Sequence, residues 1–512
     1  MQTVWVLGDQ LNRRLGPLRE ATPADTRVLL VESTAKLASA RWHVQRAHLV
    51  LTAMRRFATE LREEGFEVDH RRSASLPAGL AEHRARYRPA RVVAMEPASY
   101  DGLLMLRRHG VEVTRSDQFL CHYGDFADWV ASRRSVRMED FYRHQRRRLG
   151  YLMDGDEPAG GRWNFDADNR EPPPRDGRAW PLPLRTPLDG VDRAVLADLA
   201  ALGENATWGA PPDGTWATSR AEALRRLEHA VTAVLPAFGP HEDAMLSTNW
   251  HLAHTLLSPY LNLGLLLPAE VCDAAEAAHR AGRVPIASAE GFIRQVIGWR
   301  EYVWGRYWQW VPDHRSANEL GAHRPLPPVF ADPGVATEKR SEMHTEMHTE
   351  MRCLATVLRD VHDHGWTHHI QRLMVLGNLG LLAGVDPAEL TRWMWTSFVD
   401  GAEWVMLPNV IGMATYADGG RMTTKPYAAG GAYIDRMSDY CGGCRFDRRR
   451  RTGDNACPFT TLYWDFLARH ADRLRRNPRV AQQVRAADRL SDLPAVRERA
   501  AEVLAELDQG RL

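Results

Sequence analysis

The chain has 512 residues, which is long enough for two or three domains that each bury a core. Its formal net charge is only +1, and its six cysteines are too few for a secreted disulfide framework. No signal peptide opens the sequence, and no uncharged apolar run is long enough to span a bilayer. We therefore predict a cytoplasmic monomer without a membrane partner.

Residues 1–130 alternate short apolar runs with helical patterns. Runs at 4–7, 28–31, 92–95 and 111–114 predict strands of a parallel sheet, and residues 41–64 predict a long amphipathic helix. Strands that alternate with helices in this way are typical of α/β domains. We therefore predict an α/β domain with a doubly wound parallel sheet over residues 1–130.

Polar residues stand where the first two predicted strands end. Gly8, Asp9 and Gln10 follow the first strand, and Glu32 and Ser33 follow the second. Sheets of this kind bind ligands at the carboxyl ends of their strands. The sequence has no G-x-G-x-x-G motif here, which counts against a dinucleotide and leaves room for a smaller chromophore.

Residues 131–215 have little periodicity and are rich in proline and glycine, so they predict a linker between domains. The linker begins with aromatic residues beside the basic run Arg146, Arg147 and Arg148. Such a run is often a solvated surface, but arginines interleaved with aromatic residues also suit a nucleic-acid backbone. We predict that this linker contacts DNA.

From residue 216 to residue 512 the pattern is helical and predicts an all-α domain. A capping-box pattern at Ser219 and Glu222 opens its first helix. The further helices are expected at 254–260, 295–310, 352–366, 370–382 and 387–399.

A tandem repeat interrupts this helical series at residues 342–349, where Glu-Met-His-Thr occurs twice in succession. His344 and His348 are four residues apart and could share a metal ion. A local duplication is the simpler explanation.

The cysteines near the carboxyl end predict a metal centre. Cys441 and Cys444 form a C-x-x-C pair, Cys457 precedes a proline, and Cys353 lies upstream. Four thiolates suit either tetrahedral zinc or an iron–sulfur cluster, and the spacing does not separate the two. A redox dithiol or unligated thiols are alternatives, and His470 is a rival for the fourth ligand position.

Several segments of the helical half together resemble the photolyase/cryptochrome superfamily. Leu-Ser-Pro-Tyr-Leu at 257–261 resembles the loop that holds the FAD diphosphate, and Trp-Arg-Glu at 299–301 resembles the flavin-packing helix. Asp400 and Gly401, followed by Asn409, resemble the region beneath the isoalloxazine ring. The FAD-binding residues that the resemblance implies are His254, Thr255, Leu256, Leu257, Ser258, Gln295, Trp299, Arg300, Arg372, Asp400, Gly401 and Asn409.

Within this superfamily, the chain is most similar to the prokaryotic iron–sulfur (6-4) photolyases. The shared segments are His-His-Ile-Gln-Arg-Leu-Met at 368–374, Phe-Val-Asp-Gly at 398–401 and Pro-Asn-Val-Ile-Gly-Met at 408–413. The resemblance implies that Cys353, Cys441, Cys444 and Cys457 bind a [4Fe-4S] cluster, which decides between zinc and iron–sulfur by analogy.

The resemblance also implies an activity. In this family blue light drives an electron from the reduced FAD anion into a UV photoproduct that is flipped out of the DNA duplex. A (6-4) lesion needs a proton donor as well, and His369, with His368 beside it, matches the catalytic histidine. UV-damaged DNA is therefore the implied partner and substrate.

The same branch carries an antenna in its N-terminal domain. The resemblance implies that 6,7-dimethyl-8-ribityllumazine binds near Gly8, Asp9, Gln10, Glu32 and Ser33. Arg-Trp-His at 41–43 departs from the basic stretch expected after the second strand.

The sequence also departs from the family in the residues that supply electrons. Met413 stands where classical photolyases begin a tryptophan triad, as this branch implies. The branch uses Trp393 and a neighbouring tyrosine, but here the neighbour is Met394. Tyr433 is retained. We expect either a different route, with Trp395 as a candidate, or slower photoreduction.

Two other functions remain open. A cryptochrome-like photoreceptor would bind the same cofactors and signal to a partner, but His368 and His369 favour repair. A zinc-stapled nucleic-acid-binding protein without flavin would explain the cysteines. It would leave the segments around Ser258, Arg300 and Asp400 without a role.

Overall fold

The computed structural model of the chain describes residues 1–203, 205–330 and 349–512. In these ranges a parallel sheet forms near the amino end, and helices make up most of the remainder. The predicted fold class is confirmed. The Glu-Met-His-Thr repeat, with His344 and His348, lies almost entirely outside the described residues, so neither a metal site nor a local duplication is tested there.

The main sheet has five strands, all parallel, among the described residues. In spatial order they are Glu67–Ser73, Thr26–Ser33, Gln2–Trp5, Val92–Met95 and Glu112–Thr114. Two shorter pairs join Trp42–His43 to Thr207–Trp208 and Met153–Asp154 to Glu157–Pro158.

The α-helices are Thr34–Ala38, Val44–Glu63, Leu76–Tyr87, Tyr100–Arg108, Tyr123–Ala131, Met138–Leu149, Gly190–Ala200, Arg220–His229, Leu235–Phe238, Ser258–Leu263, Pro268–Arg280, Ile286–Ile293, Glu301–Trp310, Arg352–His364, Asn378–Ala383, Pro387–Ser397, Glu403–Leu407, Gly431–Met437, Pro458–Arg469, Ala471–Leu474, Ala481–Asp488 and Leu493–Asp508. The π-helical segments are Ala230–Val234, Arg294–Arg300, Gln371–Gly377 and Pro408–Ala414. None of the helices in the described ranges is long and apolar enough to cross a membrane.

Successive side chains of the central strands pack on opposite faces of the main sheet. Val28 packs with Phe57 of helix Val44–Glu63 on one face, whereas its neighbour Leu29 packs with Leu80 and Leu106 on the other. Helices therefore cover both faces, which explains why the central strands are continuous apolar runs in the sequence. This is the doubly wound arrangement that the sequence predicts.

One strand of the main sheet has no counterpart among the predicted strands. Glu67–Ser73 pairs in register with Thr26–Ser33 at the edge of the sheet. Its sequence is EVDHRRS, which has one apolar residue and therefore shows neither an apolar run nor an alternating pattern. Backbone pairing with a strongly apolar neighbour decides its structure instead.

The segment between 131 and 215 is more structured than a linker. Helix Met138–Leu149 buries Phe141 and Tyr142 completely, and helix Gly190–Ala200 packs against helix Val44–Glu63. The proposed division of the chain at residues 130 and 215 stays a prediction.

The basic run in this segment does not form one exposed surface. The guanidinium of Arg146 is fully buried and donates to the carbonyls of Tyr151 at 3.2 Å, Trp163 at 2.8 Å and Leu152. Arg147 is exposed and lies 4.4 Å from the Trp163 ring centroid. The prediction that the whole run contacts DNA is therefore wrong for Arg146. Its guanidinium instead binds carbonyls of the loop that follows its own helix.

Residues 254–260 are only partly helical. The helix begins at Ser258, and the preceding loop places Leu252 (φ 44°) and Leu256 (φ 57°) in the left-handed region. Each such leucine costs about 1–2 kcal/mol of backbone strain, and strain of this kind clusters at functional sites. Asn249 holds the loop, since its Oδ1 accepts from the backbone N–H of His251 at 3.1 Å and of Leu252 at 2.6 Å.

Candidate functional site

A cavity of about 1270 Å³ opens in the helical half of the chain. This volume is larger than the roughly 300–1,000 Å³ of ordinary ligand pockets, so a dinucleotide-sized ligand fits. Three π-helical segments contribute to its wall through Gln295, Arg372 and Asn409. π-helical turns are rare and occur frequently at functional sites.

Most residues that the sequence motifs assign to FAD or to catalysis line this one cavity. They are His254, Thr255, Leu256, Leu257, Ser258, Gln295, Trp299, Arg300, His369, Arg372, Asp400 and Asn409. His368 is buried and stacks on His254. Gly401 is held close to Arg46, whose Nη1 would lie 2.6 Å from an added Cβ. The fold thus brings together residues that are up to 155 positions apart, and their roles as ligands stay predictions.

A buried ion pair organises one wall. Arg372 donates from Nη1 to Asp400 Oδ1 at 2.9 Å and from Nη2 to Oδ2 at 3.2 Å. The Ser258 hydroxyl donates to Asp400 Oδ2 at 2.7 Å, and Asn262 Nδ2 donates to the Asp400 carbonyl at 2.8 Å. The Ser258 hydroxyl hydrogen is therefore used on Asp400, so it is not available to the phosphate that the resemblance implies.

Another part of the cavity wall presents the cationic hydrogen-bond donors of Arg300. Arg300 Nη1 donates to Glu301 Oε1 at 2.8 Å, but Arg300 Nε and Nη2 are buried and have no partner among the described residues. Burial lowers the pKa of Arg300, and the Glu301 carboxylate acts in the opposite direction. Buried donors without acceptors are costly, so this wall fits a ligand that carries anionic or carbonyl oxygens.

Three histidines meet at the side of the cavity. The ring nitrogens of His254, His368 and His369 lie within 4.8 Å of one another. Burial lowers the pKa of both His254 and His368, so these two rings are neutral near pH 7. Their rings are stacked, with centroids 4.6 Å apart and planes 14° apart, so their in-plane lone pairs run side by side instead of converging. This geometry does not suit a shared metal ion.

His369 differs from the other two because it has a carboxylate partner. Its Nε2 lies 3.3 Å from Asp243 Oδ1, and its side chain is 47% exposed at the cavity wall. Burial lowers the pKa of His369, but the hydrogen bond and charge of Asp243, together with the charge of Glu242, raise it further, so the net shift is upward. Arg372 opposes this shift weakly. His369 is therefore the histidine of the three whose pKa is shifted toward the charged form.

Gln371 connects the histidine segment to the cysteine turn. Its Oε1 accepts from the Thr367 hydroxyl and, at 3.1 Å, from the His368 backbone N–H. Its Nε2 donates to the hydroxyl of Tyr440 at 2.9 Å, and Tyr440 directly precedes Cys441. Gln371 and Tyr440 are both buried, so water competes little for these hydrogen bonds.

The four predicted cluster cysteines line a second, much smaller cavity. Cys353 comes from helix Arg352–His364, Cys441 and Cys444 come from the turn that follows Ser438, and Cys457 caps helix Pro458–Arg469. Apolar side chains, including Ile434, complete the lining. The fold therefore assembles a four-sulfur, water-poor site from three segments.

The thiols of this second cavity need a positive charge to ionise. Burial raises the pKa of Cys353 well above its ordinary value, and the charges of Cys457, Cys444 and Cys441 raise it further. Burial likewise raises the pKa of Cys441 to about 12. His470 packs its ring on Phe466 at 4.8 Å and is not part of the lining, which counts against it as a ligand. Four thiolates can coexist here only around a cation.

Gly8, Asp9 and Gln10, which are predicted to bind the antenna, follow the first strand at the carboxyl end of the sheet and lie apart from both cavities. Gln10 Nε2 donates to the carbonyls of Met95 at 3.3 Å and Glu96 at 3.0 Å. Burial raises the pKa of Asp9, and an added Cβ on Gly8 would lie 3.1 Å from Met54 Sδ. These three residues are therefore engaged in packing within the α/β half.

Glu32 and Ser33, which are predicted to bind the antenna at the end of the second strand, also make contacts within the protein. Arg55 holds Glu32 with two hydrogen bonds of 2.8 and 2.9 Å, and His70 Nε2 lies 3.0 Å from the same carboxylate. The Ser33 hydroxyl caps helix Thr34–Ala38 by accepting from the Lys36 N–H at 3.1 Å. A chromophore at this edge would have to bind beside these contacts, and its binding stays a prediction.

Several residues of the site carry no signal in the sequence. Asp243 lies 126 positions from the histidine that it contacts. Arg294 lines the cavity and pairs with Asp166 at 3.1 Å. Nothing local marks these residues, because each acquires its role from a segment that is distant in sequence.

The fold and the large cavity together define a class of proteins, in which an α/β sheet domain is joined to a helical half with a dinucleotide-sized site. The solved structures that share this fold include two photolyase-like proteins. A bacterial class III photolyase from Agrobacterium tumefaciens aligns with a TM-score of 0.54 and 15% identity, over 99% of this chain and 97% of that chain. A Synechocystis cryptochrome aligns with a TM-score of 0.51 and 14% identity, over 80% and 82% of the two chains.

Sequence comparison identifies the family within this class. The model of the family described as "Deoxyribodipyrimidine photo-lyase-related protein" matches residues 4–216. A "(6-4) photolyase" of Agrobacterium fabrum is 40% identical over 521 aligned residues, which cover 99% of this chain and all of that protein. The chain belongs to this photolyase-related family, as its sequence motifs predict. Membership implies a flavin cofactor.

Replacing Asp243 should lower the pKa of His369. The Asp243→Asn variant keeps a hydrogen-bonding side chain but removes the charge that stabilises the imidazolium. The midpoint of the His369 NMR titration should move to lower pH, with its resonance assigned by its loss in His369→Ala. Because the folded-state pKa of His369 is raised, its ion pair with Asp243 stabilises the fold at low pH. This contribution disappears as the pH rises through the folded-state pKa of His369.

The matched control is Asp166→Asn. Asp166 also lines the cavity, but it pairs with Arg294 and not with His369, so the midpoint should move much less. An unchanged midpoint in Asp243→Asn would show that Asp243 does not hold the proton of His369.

Proposed function

We propose that the chain is a light-driven DNA-repair enzyme that acts on (6-4) photoproducts, with FAD in the large cavity. The observation that carries this proposal is a histidine paired with a carboxylate, His369 with Asp243, on the wall of the same cavity as the Arg372–Asp400 pair. The relative named a (6-4) photolyase matches the whole chain, which favours repair over a photoreceptor role. A flavin-free zinc protein would leave the large cavity and the motifs that line it without a purpose.

The residues of the cavity fit FAD. The unpartnered donors of Arg300 suit the diphosphate or carbonyl oxygens, and Asn409 lines the same cavity with its Nδ2 donating to the Val405 carbonyl at 2.8 Å. When bound and reduced, the flavin supplies an electron donor that light excites. The protein residues bind it, orient it and exclude water from it.

The mouth of the cavity fits a DNA backbone. Four exposed cations contribute to its lining: Arg170, Lys425, Arg436 and Arg479. Of these, Arg170 pairs with Asp166, whereas the other three pair with no carboxylate in the described ranges. Cations at the rim of a cavity can hold phosphates while a flipped nucleotide enters.

Aromatic side chains lie among these cations. Tyr427 and Tyr433 line the cavity, and the Arg436 guanidinium lies 5.4 Å from the Tyr433 ring centroid. Bases without a pairing partner stack on such rings. The rim therefore has both elements that an extruded nucleotide requires.

His369 serves as the proton donor in this proposal. Repair of a (6-4) photoproduct must return a group that has migrated between two bases, so a proton has to move along with the electron. The half-exposed ring of His369 lines the cavity, and Asp243 favours its charged form. His368 is neutral and buried, so it positions the ring stack and does not donate.

We also propose a [4Fe-4S] cluster on Cys353, Cys441, Cys444 and Cys457. Its support is the four-sulfur cavity and its apolar lining, together with the resemblance to the iron–sulfur branch. A lumazine antenna at the carboxyl end of the sheet is supported only by the sequence resemblance. The cytoplasmic location and the monomeric state stay predictions.

Repair by His369→Ala tests the proposed function. The variant should keep FAD and bind a duplex that contains one (6-4) photoproduct. Its repair under blue light should fall by about 10²- to 10⁴-fold, which is the usual contribution of general acid catalysis. The measurement is product analysis of the illuminated oligonucleotide.

His364→Ala is the matched control, because His364 stacks on Trp250 at 4.1 Å and does not line the cavity. It should repair at the wild-type rate. Unimpaired repair by His369→Ala would contradict the assignment of the proton donor, and absence of light-driven repair in the flavin-loaded wild type would contradict the function itself.

Neutralising the rim should weaken DNA binding. In the triple variant Lys425→Ala, Arg436→Ala and Arg479→Ala, the slope of log affinity against log salt should fall by about 0.9 for each phosphate that the rim no longer neutralises. Undamaged duplex should be affected as strongly as damaged duplex. The control variant removes Arg107 and Arg108, which are exposed on helix Tyr100–Arg108 of the sheet domain. An equal slope in both variants would exclude the rim as the surface that binds DNA.

Removing one cluster cysteine should remove the iron. Cys441→Ser should release its iron and become sensitive to protease, since metal binding that is coupled to folding can contribute on the order of 10 kcal/mol. Cys121→Ser is the control, because Cys121 is buried but does not line the sulfur cavity. Iron content and limited proteolysis are measured on both. A stable Cys441→Ser protein with full iron would show that Cys441 is not a ligand.

A further inference from the structure

A series of aromatic rings leaves the wall of the large cavity. Trp404 lines the cavity and is buried, and its ring centroid lies 5.1 Å from that of Phe119 in an edge contact. Phe119 stacks on Trp304 with centroids 3.8 Å apart and planes 3° apart. Trp304 is fully buried. Two oxidisable indoles are therefore joined through a single phenyl ring.

The series ends at a tyrosine near the surface. The ring of Tyr123 lies 5.4 Å from Trp304 and stacks on Trp308 at 4.5 Å. Tyr123 and Trp308 are both partly exposed. The Tyr123 hydroxyl donates to Glu96 Oε1 at 2.6 Å, so a proton acceptor is already in place. We name the four rings Trp404, Phe119, Trp304 and Tyr123 the aromatic ladder.

The carboxylate at the outer end is kept ionised. Burial raises the pKa of Glu96, but hydrogen bonds from His122, Tyr123 and the Ser116 N–H outweigh it, and the net pKa is lowered. His122 Nε2 lies 2.7 Å from Glu96 Oε2 and occupies the second oxygen. Glu96 can therefore accept the phenolic proton of Tyr123 through Oε1.

The charges along the ladder favour movement of an electron toward the cavity. At the inner end the Arg300 guanidinium lies 4.0 Å from the Phe119 centroid and 5.4 Å from that of Trp404. A nearby cation destabilises a positive hole on Trp404, and the anionic Glu96 stabilises it at Tyr123. A hole formed beside the cavity is thus driven outward.

The residues that the sequence resemblance implies do not form such a series. Among the described residues, the aromatic rings paired with Trp393 are those of two phenylalanines, Phe330 at 4.9 Å and Phe398 at 6.0 Å. Trp395 contacts Trp42 at 5.7 Å, but the residue between the two tryptophans that faces the cavity is Met394. Methionine replaces an aromatic ring at the point where that route would begin.

We propose that the aromatic ladder supplies the electrons that reduce the flavin in this protein. The inference rests on the proposed FAD site. One electron leaves the Trp404 indole for the light-excited oxidised flavin, and Trp304 refills Trp404. Tyr123 then refills Trp304 and passes its phenolic proton to Glu96. A thiol in solution returns one electron and one proton to the tyrosyl radical, and Glu96 releases its proton to water.

Radical spectroscopy on the flavin-loaded protein tests the ladder. With oxidised flavin and dithiothreitol, blue illumination of the wild type should give a tyrosyl radical signal in electron paramagnetic resonance. Tyr123→Phe should abolish that signal and leave a longer-lived tryptophan radical, seen by transient absorption. Trp304→Phe should abolish both and reduce its flavin poorly. Trp393→Phe is the matched control and should behave as the wild type.

A further measurement separates this inference from the proposed function. Repair after chemical reduction with dithionite should be equal in Tyr123→Phe and the wild type, because the ladder then has no electron to supply. Tyr123 is partly exposed, so its replacement by Phe tests the ladder even if Trp304→Phe does not fold. A tyrosyl signal that survives Tyr123→Phe, or a failure of photoreduction in Trp393→Phe, would overturn the ladder. No repair by the dithionite-reduced wild type would instead overturn the function.

Discussion

The Arg372–Asp400 ion pair is the interaction on which the large cavity depends. It joins the π-helical segment Gln371–Gly377 to the loop before helix Glu403–Leu407, and Ser258 and Asn262 attach a third element to the same aspartate. Asp400 is buried and Arg372 is partly exposed, so removing Arg372 would leave a buried carboxylate without compensation. The pair is therefore a structural requirement first, and any contact it makes with a ligand is built on that role.

Two parts of the cavity wall differ in how their charges are balanced. On one wall the charges are already balanced within the protein, whereas Arg300 on the other keeps two donors without partners among the described residues. An anionic cofactor would be held by the unbalanced wall and oriented against the balanced one. His369 lies at the side of the cavity, where the Asp243 carboxylate raises the pKa of its ring and the stacked rings of His254 and His368 lie beside it.

The sequence was informative where local pattern decides structure. Four apolar runs marked four of the five strands, and four cysteines marked a site that the fold does assemble. It was uninformative where tertiary contacts decide. Strand Glu67–Ser73 depends on its neighbour, and Arg146 is buried because three carbonyls surround it. Asp243 contacts His369 only in the folded chain, because the two residues are 126 positions apart in the sequence.

Through Gln371, the position of the cysteine turn affects the position of the histidine segment. Only one side chain lies between Tyr440, which precedes Cys441, and the backbone of His368. If the thiols hold the proposed cluster, a turn that has not received its iron would leave Tyr440 displaced and the histidine segment without its anchor. A chain of this kind would lose the fold around its cysteine turn and misplace its acid as well. Iron supply during biogenesis would then limit how many copies in a cell can repair, whatever the supply of light.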